Sequence, residues 1–197
     1  HRLSQSSIQL FLQSQERWHK RYVLKEKEAT SRSFYQVKGT AVHEVAAFLA
    51  KNRFEGWPIL FIEDALEQFD QSFNRLAEGI ENWYRPKLGE QHDGREMVGR
   101  LFYHTQDWQP TQLPEYRFSF SLGYDDWIFV GYIDGIYTDF IFDLKTVSQA
   151  WTEKEVKKQL QPMFYAAAHR EEFGFIPPVF KFLIIQTGEA DVQEIDI

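Results

Sequence analysis

GYIDGIYTDFIFDLKT, residues 131–146, sets two aspartates and a lysine into a stretch otherwise built of aromatic and β-branched residues. In a strand, side chains alternate faces with period two. Asp143 and Lys145 therefore share a face, and Leu144 points away. Asp134 closes the preceding strand, so that neighbouring strands bring it toward Asp143, while Asp139 sits as an ordinary turn acid. Two carboxylates and an ammonium in an apolar sheet each carry a desolvation cost of several kcal/mol unless matched. A divalent cation resolves the conflict, since Mg²⁺ takes hard oxygens from one or two carboxylates plus water or phosphate. The same string taken alone also fits turn and edge residues with a surface ion pair, and both readings stay open on this stretch.

Outward from it, YRFSFSL (116–122) alternates apolar and polar, and WIFVGYID and IYTDFIFDLK follow through short connections. These predict a three-stranded antiparallel meander. Residues 153–173 read as a helix with Pro162 inside it, which would bend it. VFKFLIIQT reads as a buried strand and VQEIDI as another. Toward the amino terminus, LSQSSIQLFLQSQERWHKRYV offers serine caps and an apolar stripe of Ile8, Phe11 and Leu12. GTAVHEVAAFLAKN predicts a helix over 40–51 starting at a Gly-Thr cap. In EDALEQFDQSFNRLAEGIENWY, Leu66, Phe69, Phe73, Leu76, Ile80 and Trp83 recur at steps of three and four, which predicts a helix. From Leu88 to Gln112 the pattern weakens and predicts irregular chain with short strands. The fold class is α/β (α+β by the stricter label): a small mixed sheet, β-β-β-α-β, with helices on its faces. A single domain is expected over 1–197, mainly helical over 1–112 and with the sheet core over 113–197.

The chain's 197 residues suffice for one full core, and 18 Phe and 6 Trp make that core aromatic. No apolar run of about 18 residues occurs, so no membrane-spanning helix is expected. With no cysteine in the chain, disulfides, thiolate zinc, iron–sulfur clusters and thiol nucleophiles are excluded. The absence also suits a cytoplasmic setting, in a bacterium or a phage-infected cell. A net charge of −7 argues against a protein held on nucleic acid by charge alone. It leaves room for a local basic groove and for acidic residues offset by metal ions.

GTAVH (39–43), GYID, DLK and QPMFY (161–165) occur in this order across the chain. Together they resemble the motifs of the PD-(D/E)xK nucleases, in particular the RecB-like and Cas4-like exonuclease branch and its phage relatives. LSQSSIQLFLQS is similar to the first helix of those proteins. Two departures are visible: Ile133 stands where a proline usually precedes the first Asp, and Ser14 stands roughly where cluster-bearing relatives have a cysteine. The resemblance implies a restriction-endonuclease-like core. It also implies a metal-dependent DNase without an iron–sulfur cluster, cutting phosphodiester bonds at DNA ends or in single strands, in recombination, repair or phage DNA processing. A helicase or recombination partner would suit that role. A non-catalytic DNA-binding or assembly module and a structure-specific endonuclease are the competing expectations.

By the same resemblance, His43, Asp134, Asp143 and the backbone carbonyl of Leu144 would hold Mg²⁺ or Mn²⁺. Lys145 would activate water or stabilise the transition state, and Thr146 would bond phosphate or the loop. On the 153–173 helix, Lys154, Lys158, Gln161 and Tyr165 fall opposite Val156, Leu160, Met163, Phe164 and Ala167. That line of polar groups suits a DNA-facing groove as well as a plain solvated face. Lys20, Arg21, Lys25 and Lys27 interleave with aromatics as a second candidate phosphate contact, and Glu115 is a candidate ligand for a second metal.

Overall fold

The computed structural model describes residues 2–26, 34–57, 60–80, 83, 85–124, 126–188 and 191–197. Strand β1 (Arg2–Leu3) leads into helices α1 (Gln5–Gln13) and α2 (Gln15–Trp18) and one π-helical turn, His19–Val23. Helices α3 (Phe34–Phe54), α4 (Ile62–Ala77) and α5 (Lys87–His104) follow. Then come β2 (Tyr116–Ser121), β3 (Ile128–Ile133), β4 (Gly135–Ile136), β5 (Phe140–Val147), α6 (Glu153–Val156), α7 (Gln161–Phe173), β6 (Val179–Gln186) and β7 (Gln193–Asp196). This mixed α/β architecture is the fold class expected from the sequence. Among the described residues no helix is long and apolar enough to cross a membrane.

The strands form two sheets where one was expected, ordered β1-β3-β2 and β4-β5-β6-β7. Asp134 is the hinge between them: β3 ends at Ile133 and β4 starts at Gly135. β2 pairs antiparallel with β3, and β4 with β5, as the meander predicts. The α7 crossover then returns β6 parallel to β5, and β7 closes the edge antiparallel. The period of two splits the core. Phe142 and Leu144 join a cluster with Val37, Ala41, Val45 and Leu49 of α3 and the inner faces of α4 and α5. Ile141 belongs to the opposite cluster with Tyr165 and Ala168 of α7.

Four sequence expectations change. Gly39 and Thr40 lie inside α3, not at its cap. A Cβ at Gly39 would stand 2.7 Å from Thr146 Oγ1, so the glycine serves close packing of α3 on β5. The stretch after Leu88 is a helix, not irregular strands. Its buried positions Glu90, Gly94, Met97, Val98 and Leu101 keep helical spacing, but an acid and a glycine occupy the first two and hide the period. Glu90 is fully buried because Lys38 Nζ lies 2.8 Å away, and Gly94 leaves room for the Phe69 ring. Residues 153–173 make two helices. Pro162 stands in the first turn of α7, where its missing N–H costs nothing, and it does not bend a continuous helix. Finally, α1 buries Ser7 and Leu10 while Phe11 and Leu12 are exposed, so the expected stripe does not face the core.

A carboxylate site at the fork of two sheets

Asp134, at the junction of β3 and β4, faces the middle of β5. Its Oδ2 accepts a hydrogen bond from the Leu144 backbone N–H at 2.7 Å. The alternation of β5 carries Asp143 and Lys145 to the α7 side, with Lys145 Nζ 2.6 Å from Asp143 Oδ2. The other oxygen of Asp143 accepts from Gln161 Nε2 at 2.6 Å and from the Tyr165 hydroxyl at 3.2 Å. Both donors sit in the first turns of α7, four residues apart and therefore on one face. Gln161 and Tyr165 are thus buried partners of Asp143, and it is Met163, expected on the apolar side, that is exposed.

From α3, His43 brings its Nδ1 to 3.6 Å from Asp134 Oδ2. Glu115, ahead of β2, completes the group: ligand atoms of His43, Glu115 and Asp134 all lie within 4.8 Å of one another. Glu115 holds a left-handed backbone at φ 53°, a conformation non-glycine residues seldom adopt. Its N–H reaches the Asp134 carbonyl at 3.4 Å. That strain is the kind found where a side chain must be aimed.

The electrostatics follow from burial. Asp134 is pushed up to about 7, first by desolvation and then by Glu115, with the Leu144 N–H and Lys145 acting against both. Asp143 is raised to about 6 by burial and by Asp134, less what Lys145 and His43 offset. Burial likewise lowers His43, which keeps the imidazole neutral and able to ligate. Two raised carboxylates, a strained glutamate and a neutral histidine form a hard oxygen-and-nitrogen donor set with only the Lys145 ammonium to offset its charge. The residues fit a divalent cation.

The remaining sequence candidates fall elsewhere. Thr146 points to the α3 side, against Gly39. Lys154 and Lys158 are exposed on and just after α6. Leu144 adjoins both His43 and Asp134 through its backbone. Lys20 pairs with Glu16 on the amino-terminal helices, and Lys27 lies outside the described residues. The buried Lys38–Glu90 pair next to this site was not foreseen. Its only sequence signal is a charge at a core position of each of two helices.

A D…D-x-K set at the junction of two sheets, backed by a helix whose histidine could ligate a cation, is the arrangement the sequence motifs predict. The chain matches the family model of the PD-(D/E)XK nuclease superfamily over residues 2–191 and belongs to that superfamily. It is similar in structure to a protein from Eubacterium rectale, provisionally named an exonuclease. The TM-score is 0.66 at 14% identity, over 98% of this chain and 71% of that one. No curated protein matches the chain.

Proposed function

We propose that this protein is a metal-dependent deoxyribonuclease of the RecB-like and Cas4-like branch, an exonuclease working on DNA ends or single strands. The observation that carries the reading is the buried Asp143 beside the half-buried Asp134, with Lys145 Nζ 2.6 Å from Asp143 and His43 and Glu115 at the fork. G-x-x-x-H on α3 and Q-x-x-x-Y on α7 supply the histidine and the Asp143 partners, which supports that branch. The chain works as one domain, in the cytoplasm, beside a helicase or recombination partner.

Asp134, Glu115 and His43 would hold Mg²⁺ or Mn²⁺, with Asp143 and the Leu144 carbonyl closing the set. When bound, the cation supplies Lewis-acid stabilisation of the phosphate and a more acidic water. The chain's own residues do the rest. Gln161 and Tyr165 fix Asp143 through Oδ1, so its Oδ2 and the Lys145 ammonium paired with it keep a single geometry. Lys145 places positive charge where the pentavalent phosphorus develops negative charge. The Leu144 N–H orients Asp134.

The test is a cleavage assay with Mg²⁺ or Mn²⁺ on linear, covalently closed circular and single-stranded DNA, wild type beside Lys145→Ala. Linear and single-stranded substrates should be degraded and circles spared, with the variant inert. Cut circles would make the protein an endonuclease. DNA binding without cleavage by either protein would sink the enzymatic reading.

A further inference from the structure

On the α3 side of β5, past Leu144, the seam between α3 and β5 opens into a pocket of about 510 Å³. Lys38, Met97, Thr146, Ser148, Gln149 and Thr187 line it. It starts where the catalytic strand ends. Gly39 stands opposite Thr146, and His43 is one turn further along α3, a rise of about 6 Å. The pocket thus continues the line of His43 and Leu144 by about one nucleotide step.

Its walls are fixed. The Trp151 N–H donates to Gln193 Oε1 at 3.2 Å, Gln193 Nε2 donates to the Trp151 carbonyl at 3.1 Å, and the Thr187 N–H donates to the Val147 carbonyl at 3.0 Å. The Trp151 ring packs on Phe182 at 5.2 Å. The pocket has little charge to offer a phosphate. Lys38, only 5% exposed, is countered by Glu90 at 2.8 Å. The rim carboxylate of Glu155 is occupied in capping α6 through Thr152. Hydroxyls, an amide and a countered ammonium around a methionine suit the edge and face of an uncharged heterocycle.

We infer that this pocket takes an unpaired nucleobase next to the scissile phosphate, so that the substrate strand must be single or frayed there. A base inside a duplex cannot enter such a pocket without leaving its stack. The inference rests on the nuclease reading above.

The test uses Lys145→Ala protein with Mn²⁺, so that bound strands stay intact. Fluorescence anisotropy reads its affinity for short single strands in which one abasic residue is stepped along the chain. One register should lose about tenfold in affinity, as loss of one well-held base does, while the others change by less than about twofold. Adding Ser148→Ala and Gln149→Ala, both at exposed positions, should weaken binding of the intact strand and erase the sensitive register. A flat scan, or a sensitive register that survives those substitutions, overturns the pocket assignment. If wild type cuts no DNA yet the register appears, the nuclease reading falls and the pocket stands. If it cuts while the scan is flat, the pocket falls alone. Failure to bind any strand overturns both.

Discussion

Asp134→Asn should make the metal-free protein more stable at pH 8 and leave it nearly unchanged at acid pH. In the fold, Asp134 is raised from 3.8 to about 7. In the unfolded chain it returns to its ordinary value, so between these limits the folded protein holds a proton that the unfolded chain has released. The contribution of Asp134 is fully present below about pH 4, falls as pH rises, and is lost above about 7. The difference between those two values corresponds to about 4 kcal/mol. Asn is isosteric, and its amide oxygen can accept the Leu144 N–H that Asp134 Oδ2 accepts at 2.7 Å. It removes the charge that also raises Asp143. An expected gain of about 2–4 kcal/mol at pH 8 allows for partial relaxation, and corresponds to roughly 5–10 °C in Tm for a chain of this size.

The measurement is urea unfolding in EDTA, followed by tryptophan fluorescence, at pH 4.5, 6 and 8. The difference between variant and wild type should grow with pH. Adding Mn²⁺ at pH 8 should then stabilise wild type and leave the variant almost unmoved, because a ligand stabilises only the fold that binds it. A variant less stable than wild type at pH 8, or a gain of the same size at every pH, would refute the claim that an uncompensated buried carboxylate sets this site's energetics.

Lys145→Ala should lower the single-turnover cleavage rate by a factor of about 10²–10³ with little change in DNA affinity, since its amine acts on developing charge. Glu115→Gln should weaken Mn²⁺ binding by about 10–100-fold in calorimetric titration if Glu115 shares the cation with His43 and Asp134. Gln161→Leu leaves Asp143 Oδ1 with the Tyr165 hydroxyl alone, and should cost about 1–3 kcal/mol in urea unfolding together with most of the activity. Gly94→Ala would put a Cβ 2.2 Å from the Phe69 ring. It should destabilise by about 1–3 kcal/mol despite alanine's better helix propensity, with activity per folded molecule unchanged.

What the sequence revealed depended on whether a residue's partner lies in its own periodic pattern. The α4 stripe from Leu66 to Leu76 and the β5 alternation are local, and both were legible from residue order alone, although α4 ends at Ala77 and leaves Ile80 and Trp83 beyond it. α5 was not, because Glu90 makes sense only once Lys38 from α3 meets it, and Gly94 only once Phe69 from α4 fills its gap. The same rule separated the two halves of the site. Asp143 and Lys145 share a strand, so their common face follows from a period of two. Gln161 and Tyr165 were legible as a pair four residues apart, but not the direction in which they point. Pro162 decides that direction by starting α7 afresh, which turns both side chains inward onto Asp143.

The hinge at Asp134 accounts for why the acids gather there at all. A continuous β3–β4 strand in one sheet would bury the residue at that position among apolar neighbours. Splitting the sheets after Ile133 frees the backbone around Asp134, so that Leu144 can bond its side chain and Glu115 can reach its carbonyl. The fork thereby provides polar partners for one oxygen of each buried aspartate, the Leu144 N–H for Asp134 and the Gln161 amide for Asp143, and leaves the second oxygens to the site. An apolar sheet tolerates such a group only while something positive stands near it. Lys145 supplies one positive charge against Asp134, Asp143 and Glu115, and the raised carboxylates measure the shortfall. The unmet charge is the size of a divalent cation, which is why, as pH rises, the metal-free fold should lose stability while its capacity to bind metal grows.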